Sequence, residues 1–147
     1  MSYRQLYYHI VFCTKSGKPT LPETYREELY KYLWGVVRNK GCKLYQINGF
    51  SEHIHLFSDL HPSLALANYI KDLKVTSSIW LKQQEHFKSF DAWAEGYAAF
   101  PISHNDRNKV IAYIKNQKEH HRKENFIDEY KRLLLEFGIA YEEKYML

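Results

Sequence analysis

The chain alternates between two hydrophobic periods. Residues 3–13, from Tyr3 to Cys13, are dense in β-branched and aromatic side chains. They run into Thr14-Lys15-Ser16-Gly17-Lys18-Pro19, a turn composition, and so predict a first strand. From about Glu23 to Asn39 the period becomes helical: Tyr25, Leu29, Tyr32, Leu33, Val36 and Val37 share one stripe, and Lys40-Gly41 closes it. Alternation returns over residues 42–48 and 51–59, on either side of Asn48-Gly49, a dipeptide that favours tight hairpins. A second helix is predicted to begin at His61-Pro62-Ser63, where the missing N–H of proline costs nothing. It follows Leu66, Ile70, Leu73, Ser77 and Trp80 to about Gln84. Residues 85–95 show no period. Residues 96–102 read as a short fourth strand, and Pro101 near its end marks an edge or a terminus. A third helix is expected from about 105 to 122, capped by Ser103 or Asn105, with Val110, Ile111 and Ile114 inward. A fourth, from about 126 to 137, should bury Tyr130, Leu133, Leu134 and Phe137 and end at Gly138.

The order β-α-β-β-α-β followed by two helices predicts an α+β fold. It is the ferredoxin-like arrangement: a four-stranded antiparallel sheet with helices on one face, plus C-terminal helices. With 147 residues the chain is expected to form one domain over 1–147. The strand at 51–59 would be central in the sheet. A fold of this kind hosts many activities, so function has to come from side chains.

The central strand carries Ser51-Glu52-His53-Ile54-His55-Leu56-Phe57. Side chains alternate along a strand, so His53 and His55 project to one side, roughly 7 Å apart at Cα, while Ile54 and Leu56 project into a core. Two imidazoles on a rigid strand are prepositioned ligands for a divalent cation; equally, they could be core histidines bonded to neighbours. Downstream, Tyr113 and Gln117 lie four apart in the third helix and so stack on one face. His120 and His121 are adjacent and point apart, which makes them a poor chelate by themselves. Two histidines, an amide oxygen and a phenol are together the parts of a phosphoryl transfer to a protein nucleophile. In that reading His53, His55 and Gln117 hold a metal and Tyr113 attacks phosphorus.

Composition adds a mild bias. Aromatic residues make up 16% and the net charge is +4, compatible with nucleic acid but also with an ordinary core and a solvated surface. The candidate phosphate contacts are Lys15, Lys18, Lys71, Lys74, Lys109, Arg122 and Lys123. Cys13 and Cys42 form no CxxC pair and suit a reducing compartment. With no signal peptide and no bilayer-spanning apolar run, the expected location is the cytoplasm, away from membranes.

The chain resembles the small HUH-type single-tyrosine transposases of the insertion-sequence-200-like family. The likeness is carried by Tyr8-His9-Ile10-Val11-Phe12 with Thr14-Lys15, by Asn48-Gly49 ahead of Glu52-His53-Ile54-His55-Leu56, and by Leu73-Lys74 with Ser77-Ser78. It continues through Trp93, Gly96-Tyr97, Tyr113-Ile114-Lys115-Asn116-Gln117, Gly138-Ile139 and Tyr141-Glu142. The resemblance implies His53 and His55 as the HUH pair, Gln117 as the third ligand of Mg²⁺ or Mn²⁺, and Tyr113 as the nucleophile. It further implies single-stranded DNA hairpins at element ends as substrate, a 5′-phosphotyrosine intermediate, and a homodimer in which one subunit's tyrosine helix serves the other's histidines. Strand one, with its aromatic alternation, is a candidate for part of that dimer interface. Glu52, Val75 and Ala94 depart from the family's usual Asp, Gly and Gln. Other readings stay open: a host-retained relative acting on repeated palindromes, a non-catalytic nucleic-acid-binding module, or a metal hydrolase in which Tyr113 is structural.

Overall fold

The computed structural model describes residues 2–146. The strands are β1 (Tyr7–Cys13), β2 (Leu44–Gly49), β3 (His53–Asp59) and β4 (Ala98–Ile102), and they form one antiparallel sheet in the order β2-β3-β1-β4. The helices are α1 (Arg26–Asn39), α2 (Leu66–Lys82), α3 (Arg107–Lys115), α4 (Gln117–Lys123) and α5 (Phe126–Glu136). This is the expected βαββαβ order with further helices after β4.

The period-2 pattern sorts the sheet into two faces. Ile10, Phe12, Ile54 and Leu56 point to one side, where Leu29, Leu33 and Val37 of α1 and Ile70, Leu73 and Leu81 of α2 cover them. Their neighbours Val11 and Cys13, with Ala98 and Phe100 of β4, point to the other side and meet Phe126, Tyr130, Leu133 and Leu134 of α5. Further along that second face, Tyr7 and Phe57 pack on Ile114 of α3. β1 and β3 are therefore buried on both faces, which keeps water away from anything polar they present.

Several expectations shift. α2 starts at Leu66 rather than at His61-Pro62-Ser63, because the His61 and Ser63 side chains bond to each other in a turn before it. The third helix is two helices: Asn116 leaves helical geometry (φ −94°, ψ 25°), separating α3 from α4. Phe137 lies just past α5 and stays 40% exposed, stacked on Phe100. Asn48-Gly49 is not the hairpin turn. Both residues sit within β2, paired across from His55 and Ile54, and residues 50–52 make the reversal. β1 is flanked by β3 and β4 and most of its side chains are buried, while Tyr3 and Leu6 just ahead of it are exposed.

The resemblance motif in α2 has a structural use. Lys74 Nζ donates to the carbonyls of Ala94, Glu95 and Gly96, at 2.6, 2.9 and 3.2 Å. Trp93 Nε1 donates to Ser77 Oγ at 2.9 Å. Together they fasten the irregular stretch before β4 to α2.

Candidate active site

His53 and His55 stand side by side on the α3–α5 face of β3, and neither has any solvent exposure. Each ring is oriented from behind. Glu52 Oε1 lies 2.6 Å from His53 Nδ1, and His9 Nε2 of β1 lies 2.8 Å from His55 Nδ1. A carboxylate only accepts, so His53 carries a proton on Nδ1, and its Nε2 faces the site. Burial lowers the His9 and His55 pKa values, that of His55 to about 4, although Glu129 pulls both upward. Burial works the same way on His53, but hydrogen bonds to Glu129 and Glu52 outweigh it and leave its pKa raised.

The other donors arrive from the C-terminal helices. Gln117 opens α4 and is fully buried, with Oε1 3.0 Å from His53 Nε2 and Nε2 donating to Glu129 Oε2 at 3.2 Å. Glu129 of α5 is also fully buried. Its Oε1 lies 3.2 Å from His55 Nε2 and 3.4 Å from His53 Nε2. His121 of α4 places Nε2 3.2 Å from both Glu129 Oε1 and Gln117 Oε1. Burial disfavours the Glu129 charge, but hydrogen bonds from His121, His53 and His55 prevail and hold its carboxyl far below the usual carboxylate range.

Tyr113 joins the same cluster. Its hydroxyl donates to Glu129 Oε2 and accepts from Arg132 Nη2 at 2.7 Å. Arg132 is itself held by Glu124 at 2.9 Å and Glu136 at 3.1 Å. Burial, then the Glu129 charge, pushes the phenol well above its ordinary value. Asn48 fixes the end of the tyrosine helix: its Nδ2 donates to the carbonyls of Ile114 and Lys115, each at 3.1 Å. Those are C-terminal carbonyls of α3 that lack helical partners.

His53, His55 and Glu129 each offer a ligand atom, all within 4.8 Å of one another. Imidazole nitrogen and carboxylate oxygen are both donors for a divalent cation, so the set fits one chemically. Tyr113, His53, His55 and Gln117 meet in one cluster within a single chain. Lys109 lines a 330 Å³ cavity beside Tyr113 and Arg132. Lys15, Lys18, Lys71 and Lys123 are exposed, Arg122 pairs with Glu119, and the Lys74 ammonium is occupied by the three carbonyls.

Sequence reasoning missed His9, His121, Glu129 and Arg132. Two of them left a signal. His9 shares the parity of Tyr7 and Val11, away from the Ile10–Phe12 core. Glu129 sits within the apolar stripe Phe126, Tyr130, Leu133 of α5, where a carboxylate is out of place unless it has partners.

The chain is similar in sequence and fold to known transposases. The ISDra2 transposase TnpA of Deinococcus radiodurans is 25% identical over 120 residues, covering 78% of this chain and 86% of that protein. The transposase for insertion sequence element IS200 of Salmonella typhimurium is 25% identical over 117 residues, covering 76% of each. The structure of a REP-associated tyrosine transposase bound to a REP hairpin superposes with a TM-score of 0.60 at 15% identity, over 82% of this chain and 74% of that one, a likeness of fold. The family model described as "Transposase IS200 like" matches residues 2–117, from before β1 to the first residue of α4. Strand pair, histidines, tyrosine helix and sequence match all lie in that span, and the chain belongs to the IS200-like transposase family.

Proposed function

We propose that the protein nicks and rejoins single-stranded DNA at hairpin-bearing element ends through a covalent phosphotyrosine. The observation that supports this most is the convergence of the Tyr113 hydroxyl, two strand-borne histidines, Gln117 and Glu129 in one buried cluster, in a chain of a transposase family. In the reaction, Tyr113 Oη attacks the scissile phosphorus in line and the bond from phosphorus to the 3′ oxygen breaks. The product is a 5′-phosphotyrosine and a free 3′-hydroxyl. Glu129 Oε2 accepts the phenol's hydrogen bond and orients its oxygen; the phenol's proton leaves to solvent as the new bond forms, and the departing 3′ oxygen takes a proton from solvent. Arg132 stabilises the phenolate as it forms. His53, His55, Gln117 and Glu129 would hold a divalent cation, and such an ion would supply positive charge against the negative charge that develops on the phosphate. The phosphodiester energy is conserved in the link, so the 3′-hydroxyl of another strand reverses the step, which is transfer rather than hydrolysis.

His53, His55, Gln117 and Glu129 are fully buried, so DNA reaches them only after α4 and α5 swing away from the sheet. Such motion also allows the expected homodimer, in which the tyrosine helix serves a second copy's histidines. A host-retained enzyme acting on repeated palindromes would use the same chemistry, and the likeness to a protein bound to a REP hairpin favours keeping that alternative.

The test is a denaturing gel of purified protein with end-labelled single-stranded hairpins from the DNA flanking its gene. The expected result is a metal-dependent band at the mass of protein plus DNA, absent with EDTA and absent in Tyr113→Phe. An adduct that persists in Tyr113→Phe refutes the nucleophile. Tight hairpin binding by the parent protein with no adduct under any metal refutes the enzyme in favour of a binding module.

A further inference from the structure

Phe50 opens the reversal between β2 and β3, a short step along the chain from His53. Its N–H donates to the His53 carbonyl at 3.0 Å, which fixes the backbone that carries the ring. The half-buried ring meets two planar groups from different helices. The Arg26 guanidinium of α1 lies over it, 5.4 Å from the ring centroid. The His121 imidazole of α4 stacks on it at 4.9 Å, with the planes 25° apart. The His121 ring in turn lies 4.7 Å from that of His53. One imidazole therefore fills the space between Phe50 and the strand histidines.

These groups do not move together. Phe50 belongs to the sheet, and Arg26 to α1, which Leu29, Leu33 and Val37 anchor in the core. His121 belongs to α4, which has to move before DNA reaches His53. Its departure uncovers the Phe50 ring and leaves Arg26 beside it. A 710 Å³ cavity already runs alongside, lined by Arg26, Tyr30, Phe50 and Arg122 with Glu23 and Glu27. Two nearby cations are paired: Lys118 lies 3.5 Å from Glu23, and Arg122 3.3 Å from Glu119. Among the described residues the Arg26 guanidinium has no ion pair, so it is free to meet a phosphate.

We propose that Phe50 is the stacking platform for an unpaired base of the substrate strand, with Arg26 on a neighbouring phosphate, and that His121 holds the base's place while the site is closed. The proposal rests on the single-stranded DNA reading and adds the residues that grip the strand beside His53. Every nucleobase has a π-face, so an aromatic ring takes an unpaired base with little regard to sequence. A base inside a duplex is already stacked on both sides, so such a platform selects single strands. Imidazole is flat and aromatic and fits the same slot, and the incoming strand has to displace it. The guanidinium beside the ring adds its own attraction to a stacked base and to the backbone.

The test is fluorescence anisotropy of the full chain in EDTA, so that metal-dependent cleavage does not intervene. Two fluorescein-labelled hairpins from the DNA flanking its gene serve as probes. One carries an unpaired oligothymidine flank; in the other the flank is abasic. Phe50→Leu keeps apolar bulk without an aromatic face. It should weaken binding of the first probe about fivefold or more and leave the second unchanged. Phe50→Trp should bind the first probe at least as tightly as the parent. His121→Ala removes the competitor and should tighten that binding about twofold or more. Arg26→Ala should reduce the slope of log affinity against log salt by about one unit on both probes. Circular dichroism confirms that each variant is folded. Parent-like binding of the first probe by Phe50→Leu, or an equal loss on both probes, overturns the platform; weaker binding by His121→Ala overturns the part given to His121. Either result leaves the single-strand reading standing, since adduct formation by the parent tests that separately. No binding of either hairpin by the folded parent overturns both the proposal and the reading beneath it.

Discussion

Asn48 is the polar residue whose loss should most directly separate the fold from the chemistry. It sits in β2 across from His55, and its amide nitrogen reaches over the second face of the sheet to the Ile114 and Lys115 carbonyls, just after Tyr113. Its own Oδ1 accepts from the Gly49 N–H at 2.9 Å. Truncation to alanine removes two bonds to helix-end carbonyls and one to a backbone N–H. At about 0.5–1.5 kcal/mol for each bond, discounted because the site is half exposed, Asn48→Ala should lower stability by about 1–2 kcal/mol. Urea denaturation at pH 7 measures this as a lower midpoint at constant m-value. The functional loss should be larger than the stability loss suggests, because freeing the end of α3 shifts the Tyr113 oxygen. A displacement near 1 Å costs up to about 10²-fold in a positioned attack. Single-turnover formation of the labelled adduct, followed well below the melting midpoint, measures that term separately. Asn48→Asp keeps the shape but turns a donor into a charged acceptor facing two carbonyls, so it should be at least as damaging as alanine in both assays. If Asn48→Ala unfolds at the parent midpoint and forms adduct at the parent rate, the tether has no energetic content and the reasoning fails.

A Cβ on Gly49 would collide with the His53 carbonyl oxygen and stand 3.0 Å from Ile54 Cα, so Gly49→Ala must push β3 at His53; stability should fall by about 1–3 kcal/mol, read by thermal melting. Ser77→Ala leaves the buried Trp93 N–H without its acceptor and should cost about 1–3 kcal/mol in urea denaturation, whereas Ser78→Ala on the less buried neighbour should cost little. In metal-free protein the His55 pKa is lowered from 6.5 to about 4, so the unfolded chain binds more protons between those values, and stability rises with pH across that window. The size is at most about 3 kcal/mol, reduced by His53, whose pKa moves the other way; a urea midpoint that rises on going from pH 7 to pH 5 would contradict it. Lys109→Ala should reduce the slope of log affinity for hairpin DNA against log salt by about one unit, from an initial slope near −3 to −5, and an unchanged slope removes Lys109 from the interface.

The sequence by itself determined the sheet, its helices and the face on which His53 and His55 stand. These follow from local periods, and a strand with Ile54 and Leu56 in the core has no other place for two odd-numbered histidines. It also brought Tyr113 and Gln117 to one side of the polypeptide, although the tertiary fold breaks the helix between them at Asn116. What only the three-dimensional structure decided was the rest of the cluster. Glu129 and His121 lie 74 and 66 residues after His55, and no local period encodes which strand a surface-like carboxylate or a member of a histidine pair will meet. Their positions depend on how α4 and α5 fold back over the sheet, which Phe126, Tyr130, Leu133 and Leu134 drive by burying their stripe against Val11, Cys13 and Phe100. The fates of Lys74, claimed by three carbonyls, and of Asn48-Gly49, which tether a helix and admit a close backbone approach instead of making a turn, were likewise set by distant partners. Short-range pattern fixes where side chains point along an element; which groups satisfy a buried donor or charge is settled by the packing of one element on another.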